Sequence, residues 1–317
     1  KQGELKAMVA TDRTLLLWKL TRLSDAELNF VKTAPIVPDG ELQQILGQLG
    51  GQTSTPESIA AFNRMCEYLV KNMKDKPGAC QDAATRLLEN AKKAGKGGDL
   101  VRRLEFLLKN DLPPTTLLNL YSTYFYDVMA LGTRADLINT LAIGNKLFAK
   151  LDKVEDKRTI RILELDGIFI MDDFEGALKL VEANRNVWEA DWEPMADNKI
   201  RAHLALKNSK VATGEKQKEL KLEAVRRFRA NLAYIAKWED PQLEPLTGLI
   251  YTKEMYLGLN LKRIGDILKS VGDDAGAETA FKEAEAYYKK AISETRPDSR
   301  EYAFIKKMNA GIYTGPS

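Results

Sequence analysis

"VGDDAGAETAFKEAEAYYKKA", residues 271–291, sets the reading of the whole chain. A Gly272-Asp273 turn opens it. Small residues and aromatics then follow at helical spacing, with Ala277, Phe281 and Ala284 on one stripe. Three upstream stretches share the plan: "LGTRADLINTL" at 131–141, "MDDFEGALKLV" at 171–181 and "TGEKQKELKLEAVRRF" at 213–228. Each has a turn residue (Gly132, Asp172, Gly214), a short polar step and a helix with apolar residues at i and i+4. The exits echo one another as well, with "WEP" at 192–194 and "WEDP" at 238–241. The opening stretch is therefore one unit among several, each a helix, a turn, a helix and a Pro-terminated exit.

Almost every long segment repeats at 3.6 residues, and strand signals are nearly absent. The spacing predicts helices over 2–23, 25–32, 40–49, 56–73, 79–94, 98–109, 114–131, 134–151, 156–171, 173–188, 196–213, 216–237, 243–271, 274–293 and 298–309. Ser24-Asp25-Ala26-Glu27 carries a capping-box pattern, and Thr55-Pro56-Glu57 puts a capping Thr ahead of Pro at the first helical position. Pro- and Gly-rich runs at 33–40, 49–56 and 94–99 make the first third less regular. The expected organisation is all-α: an irregular helical region over 1–112, then a repeat region over 113–317. Short connections imply antiparallel neighbours.

The unit at 258–297 resembles a tetratricopeptide repeat. That family alternates two antiparallel helices over about 34 residues, with small residues where they touch and aromatics in the gaps. Leu261, Ile264, Gly265 and Leu268 fit its first helix, and Ala277, Phe281 and Ala284 its second. Elsewhere the match is looser. The unit at Asp172 keeps Ala177 but has Val181 where the aromatic belongs, and the spacing is longer than the family's. The resemblance implies a right-handed α-solenoid whose first helices line a concave groove for a protein or peptide partner. Groove positions carried over from the family are Asn119, Ser122 and Tyr126, then Thr159, Ile162 and Asp166, then Arg201, Leu204 and Asn208, then Leu259, Lys262 and Asp266. Of these, Asn119, Tyr126, Asp166, Arg201, Asn208, Lys262 and Asp266 are the expected polar contacts. Lys262 and Asp266 stand one turn apart and can pair with each other instead. The family's carboxylate clamp is not reproduced, so a chaperone C-terminus is not implied.

The chain has 317 residues, 44% hydrophobic and 29% charged, with net charge +3. Such a length supports a large core without disulfide or metal, and the mild positive balance falls short of a nucleic-acid footprint. No window is apolar enough to span a membrane. The first residue is Lys, which suits removal of a signal peptide or a designed truncation, and an exported or periplasmic location is favoured over a cytoplasmic one. Phosphate loops, nucleophile elbows and zinc motifs are absent. The lone histidine, His203, lies mid-helix with no ligand-like neighbour and reads as structural. No cofactor is expected and no catalytic residue is assigned. "VRRFRANLAYIAKW" (225–238) mixes basic and aromatic residues, which keeps nucleic-acid binding as the alternative. A helical hydrolase ranks third, for want of a nucleophile–base set. Trp188, Trp192 and Trp238 read as helix staples or as binding platforms.

Cys66 and Cys80 flank the Pro77-Gly78 turn. In a hairpin about that turn they are offset by roughly 13 Å along the axis, beyond the ~7 Å a disulfide tolerates between Cα atoms. Two free thiols are expected.

Overall fold

The computed structural model describes residues 24–190, 192–239, 241–244 and 249–311. The helix expected over 2–23 lies outside them. Fourteen helices and one two-stranded ribbon are present among the described residues, and the helices pack in consecutive pairs. The chain divides into two compact units, Lys1–Ile160 and Arg161–Ser317. No described helix is long and apolar enough to cross a membrane.

The first unit holds α1 (Asp25–Thr33), α2 (Asp39–Gly51), α3 (Pro56–Asn72), α4 (Pro77–Lys93), α5 (Gly97–Lys109), α6 (Pro114–Leu131) and α7 (Arg134–Phe148). Each helix from α3 to α7 packs on the next, α2 also packs on α4, and α5 on α7. The caps follow the sequence. Ser24 and Glu27 exchange hydrogen bonds across the first turn of α1, and Thr55 with Ser58 does the same for α3. Pro77 begins α4 at its first position, where its missing N–H costs nothing. Cys66 and Cys80 are buried free thiols. Burial pushes them up to about 12 and about 11, so neither is a ready nucleophile. The connection from α1 to α2 closes over a buried ammonium. Lys76 Nζ donates to the carbonyls of Ala34 at 2.6 Å, Pro35 at 3.1 Å and Val37. The glycine run 94–99 is more than a linker. Gly97 starts α5 with its backbone against Gly132, where an added Cβ would lie 2.2 Å from the Gly132 Cα. The expected boundary at 112/113 falls between α5 and α6, which pack on each other.

Helix α8 (Val154–Ile170) carries the change from the first unit to the second. The second unit continues with α9 (Phe174–Ala183), α10 (Trp192–Ser209), α11 (Gly214–Ile235), strands β1 (Gln242–Glu244) and β2 (Leu249–Tyr251), α12 (Lys253–Lys269), α13 (Asp274–Glu294) and α14 (Arg300–Ala310). Consecutive helices from α9 to α14 pack together, most extensively α12 with α13. One apolar cluster joins α10 to α14, including Phe228, Leu261, Ile264 and Ala284. A second gathers Leu165, Phe174, Ala177, Val181, Trp188 and Ile200 around α8, α9 and α10. The turns at Asp172, Gly214 and Gly272 all use the left-handed region, with φ of 56°, 58° and 81°. Gly132 does not, having φ −93°.

Three expected boundaries are corrected. The segment 243–271 is not one helix. Antiparallel strands pair Gln242 with Tyr251 and Glu244 with Leu249, and α12 starts only at Lys253. The Thr252 side chain caps the new start by accepting from Met255 N at 3.3 Å. The helix expected over 173–188 stops at Ala183, where the Asn184 side chain is taken up by Leu180 O and Arg161. Finally, Trp192-Glu193-Pro194 is no helix exit. It is the first turn of α10, where a proline is tolerated.

Candidate functional site

Helices α8, α10, α11, α12 and α14 enclose a cleft of about 610 Å³ within the second unit. From α8 come Ile162, Leu165, Asp166 and Phe169. From α10 come Trp192, Met195, Ala196, Lys199, Ile200 and His203. The other side is Phe228, Asn231 and Ile235 of α11, Tyr256, Leu259, Asn260 and Arg263 of α12, Tyr251 of β2 and Phe304 of α14. The spacing explains the arrangement. Ile162, Asp166 and Phe169 share a face of α8, as do Lys199 and His203 on α10 and Tyr256, Asn260 and Arg263 on α12, at i, i+3 and i+4.

Ring pairs fix the aromatic walls. Trp192 stacks on buried Trp188 with centroids 4.3 Å apart, and Trp188 donates its indole N–H to Val181 O at 3.0 Å. Tyr256 stacks on Trp238 at 5.0 Å, and Tyr251 on Phe304 at 5.9 Å. Each cleft ring is thus held by a second ring, which restricts its rotamer before anything binds.

His203 stands among Phe169, Phe174 and Phe228, with ring centroids 4.7, 5.6 and 5.5 Å away. Arg263 Nη1 lies 3.2 Å from its Nε2. A guanidinium only donates, so Nε2 accepts and the proton sits on Nδ1. Burial first, then the charges of Arg263 and Lys199, bring the imidazole down to about 3. His203 is therefore neutral near pH 7. Lys199 lies over the Phe169 ring at 5.1 Å and Arg263 over the Phe228 ring at 5.3 Å. Among the described residues, neither cation has a carboxylate within salt-bridge distance.

Asn231 supplies the deepest polar group. It is 4% exposed, its Nδ2 donates to Met195 O at 3.0 Å, and its Oδ1 has no partner among the described residues. The bond to Met195 fixes the amide orientation, because a flipped amide would set two oxygens together.

Of the seven polar residues expected in a groove, Asp166 lines this cleft. Ile162 and Leu259, carried over with them, do so too. Arg201 is held by Asp197 at 2.8 Å and by Glu182 at 3.7 Å. Lys262 pairs with Asp266 at 2.9 Å. Asn208 is exposed at the end of α10. Asn119 and Tyr126 lie on α6 of the first unit, with Asn119 exposed and the Tyr126 ring edge-on to Phe125 at 5.6 Å. The cleft instead takes Lys199, His203, Asn260 and Arg263, close neighbours of the expected positions on α10 and α12. The missed signal is the i, i+4 pair Lys199/His203, which puts a cation and the lone histidine on one face.

Among the described residues no group of three or more His, Cys, Asp or Glu gathers as metal ligands. No family model and no curated protein matches the chain.

Proposed function

We propose that the chain is a non-catalytic binding module of tetratricopeptide-like type, a solenoid of antiparallel helix pairs whose second-unit cleft holds an extended peptide. The carrying observation is that α8, α10 and α12, each the first helix of its pair, all contribute to one aromatic-lined cleft. Stacked helix pairs use such a surface to hold a peptide. The volume lies within the roughly 300–1,000 Å³ range of ligand sites, enough for the side chains of a short segment. Rings already held by other rings lose little entropy on binding.

A non-catalytic role is supported by the state of the lone histidine. An imidazole at about 3 that already accepts from Arg263 is a weak base at neutral pH. The test is selection of peptides on the protein from a random display library, repeated on Trp192→Ala/Tyr256→Ala. The expected result is a shared motif whose binding falls at least about tenfold in the double variant. Selected peptides that bind both proteins equally would place the interaction elsewhere, and failure to select any would remove the peptide reading.

A further inference from the structure

Lys199 and Arg263 are the two cations on the cleft wall, and several other cations of the second unit are neutralised by carboxylates. Arg201 is neutralised by Asp197, Lys262 by Asp266, Arg226 and Arg227 by Glu223, and Lys290 by Glu254. Lys199 and Arg263 have rings beneath them and, among the described residues, no carboxylate beside them. They stand on two of the three phenylalanine rings around His203, so both charges act on the same part of the cleft. Neutral His203 adds no positive charge and holds the guanidinium in place through Nε2. The second feature is independent of charge. Asn231 Oδ1 is a buried acceptor without a donor on the cleft wall, and an unmet acceptor of this kind is costly unless a ligand or water supplies an N–H or O–H.

Building on the peptide reading above, we infer that the cleft selects an extended segment bearing an acidic side chain beside an aromatic one. The carboxylate is held between Lys199 and Arg263, and a backbone N–H of the segment donates to Asn231 Oδ1. The specificity is for charge through the two cations and for an extended backbone through Asn231. The aromatic neighbour takes the space bounded by Trp192, Tyr256 and Phe304.

Two blocked heptapeptides test this, alanine-flanked Phe-Glu-Phe and Phe-Gln-Phe, titrated against the full chain and followed by its tryptophan fluorescence at low salt. The Glu peptide should bind about tenfold more tightly. Lys199→Met/Arg263→Gln should abolish that preference while still binding the Gln peptide. Asn231→Leu should weaken both peptides by a similar factor and keep the preference for Glu. Thermal melts accompany each variant, and the two cation substitutions, at partly or fully exposed positions, keep the test intact if Asn231→Leu fails to fold. Equal affinity for the two peptides would overturn the charge assignment and leave the peptide reading standing. So would silence from both peptides alongside cleft binding by a display-selected sequence that lacks an acidic residue. Displacement of the Glu peptide by a single-stranded oligonucleotide that binds more tightly, with affinity falling steeply in salt, would assign the cations to phosphates and overturn both readings.

Discussion

The hairpin α8/α9 and the hairpin α12/α13 share a turn and differ in nearly everything packed around it. In the first, Asp173 N donates to Ile168 O at 3.2 Å and the Asp173 carboxylate accepts from Gly176 N at 3.0 Å. In the second, Asp273 N donates to Leu268 O at 3.1 Å and Asp273 accepts from Gly276 N at 2.9 Å. Gly176 and Gly276 approach the caps alike, since a Cβ would lie 2.3 and 2.4 Å from those carboxylates and would make them swing aside. Beyond the turn the matched positions diverge. Leu165 and Val181 stand where the second hairpin has Gly265 and Phe281, a large residue and a small one exchanged across the interface. A Cβ on Gly265 would meet the Phe281 ring at 2.4 Å. Arg161, Glu164 and Asn184 stand where the second has Leu261, Ile264 and Ala284. The first hairpin therefore buries an Arg161–Glu164 ion pair tied to Asn184 at 3.0 Å, and the second buries hydrocarbon. Where Asn184 is engaged, α9 ends and Trp188 folds back over Val181. At the matching Ala284, α13 runs on to Glu294. The turn is shared, and its neighbours set helix length. The short α9 is followed by Trp188, which backs the cleft ring Trp192.

The largest expected effect comes from breaking the polar set by halves. Arg161→Leu leaves Glu164 buried without its cation and should cost about 3–5 kcal/mol in urea unfolding. Arg161→Leu/Glu164→Ile/Asn184→Ala, which copies the second hairpin, should return to wild-type stability or exceed it. Burial outweighs the Arg161 contact and raises the Glu164 carboxyl above its ordinary value of 4.5. Its contribution to stability is then full below that value and is lost as pH rises through the folded-state value. Glu164→Gln should accordingly gain on the wild type as pH is raised from 4.5, with the gap levelling above the folded-state value. A gap that moved the other way would show Glu164 held charged.

A smaller effect tests the exchanged sizes. Gly265→Leu overpacks against Phe281 and should cost about 1–3 kcal/mol. Gly265→Leu/Phe281→Val, rebuilding the Leu165/Val181 pairing, should recover most of it. If the double variant is no better than the single, the two hairpins do not share one packing plan. The smallest effect should be the most uniform. Asp173→Ala and Asp273→Ala each remove an equivalent cap and should each cost about 1 kcal/mol. A difference between them larger than the cost itself would break the equivalence of the turns.

Much of the architecture was legible because turn chemistry and periodicity are local. Ser24, Thr55, Asp173 and Asp273 cap the helices that their spacing predicts. Gly265 and Ala277 read as positions where two helix backbones approach, and Gly265 lies against the Phe281 ring. The ribbon at 242–251 was illegible as strand because each strand has only three residues, too few to set up an alternation. The early end of α9 depends on Arg161, far away in sequence, which no local pattern encodes. The cleft was legible only in outline. The first helices were expected to line a groove, and Ile162, Asp166 and Leu259 do line one. On α10 and α12, however, Arg201 and Lys262 find acidic partners one turn away, whereas Lys199, His203 and Arg263 meet rings contributed by other helices. Which cation on a helix is neutralised and which is left in the cleft depends on tertiary neighbours.

The reading of the cleft is tested most directly at Trp192. The chain has four tryptophans, whose indole N–H signals separate in a nitrogen–proton correlation spectrum and are assigned by single Trp→Phe replacements. Addition of a display-selected peptide should move the Trp192 signal, and for a peptide with an acidic residue Lys199→Met/Arg263→Gln should shift that change to higher peptide concentration. A peptide that binds the protein while the Trp192 signal stays fixed would contradict the assignment of binding to this cleft.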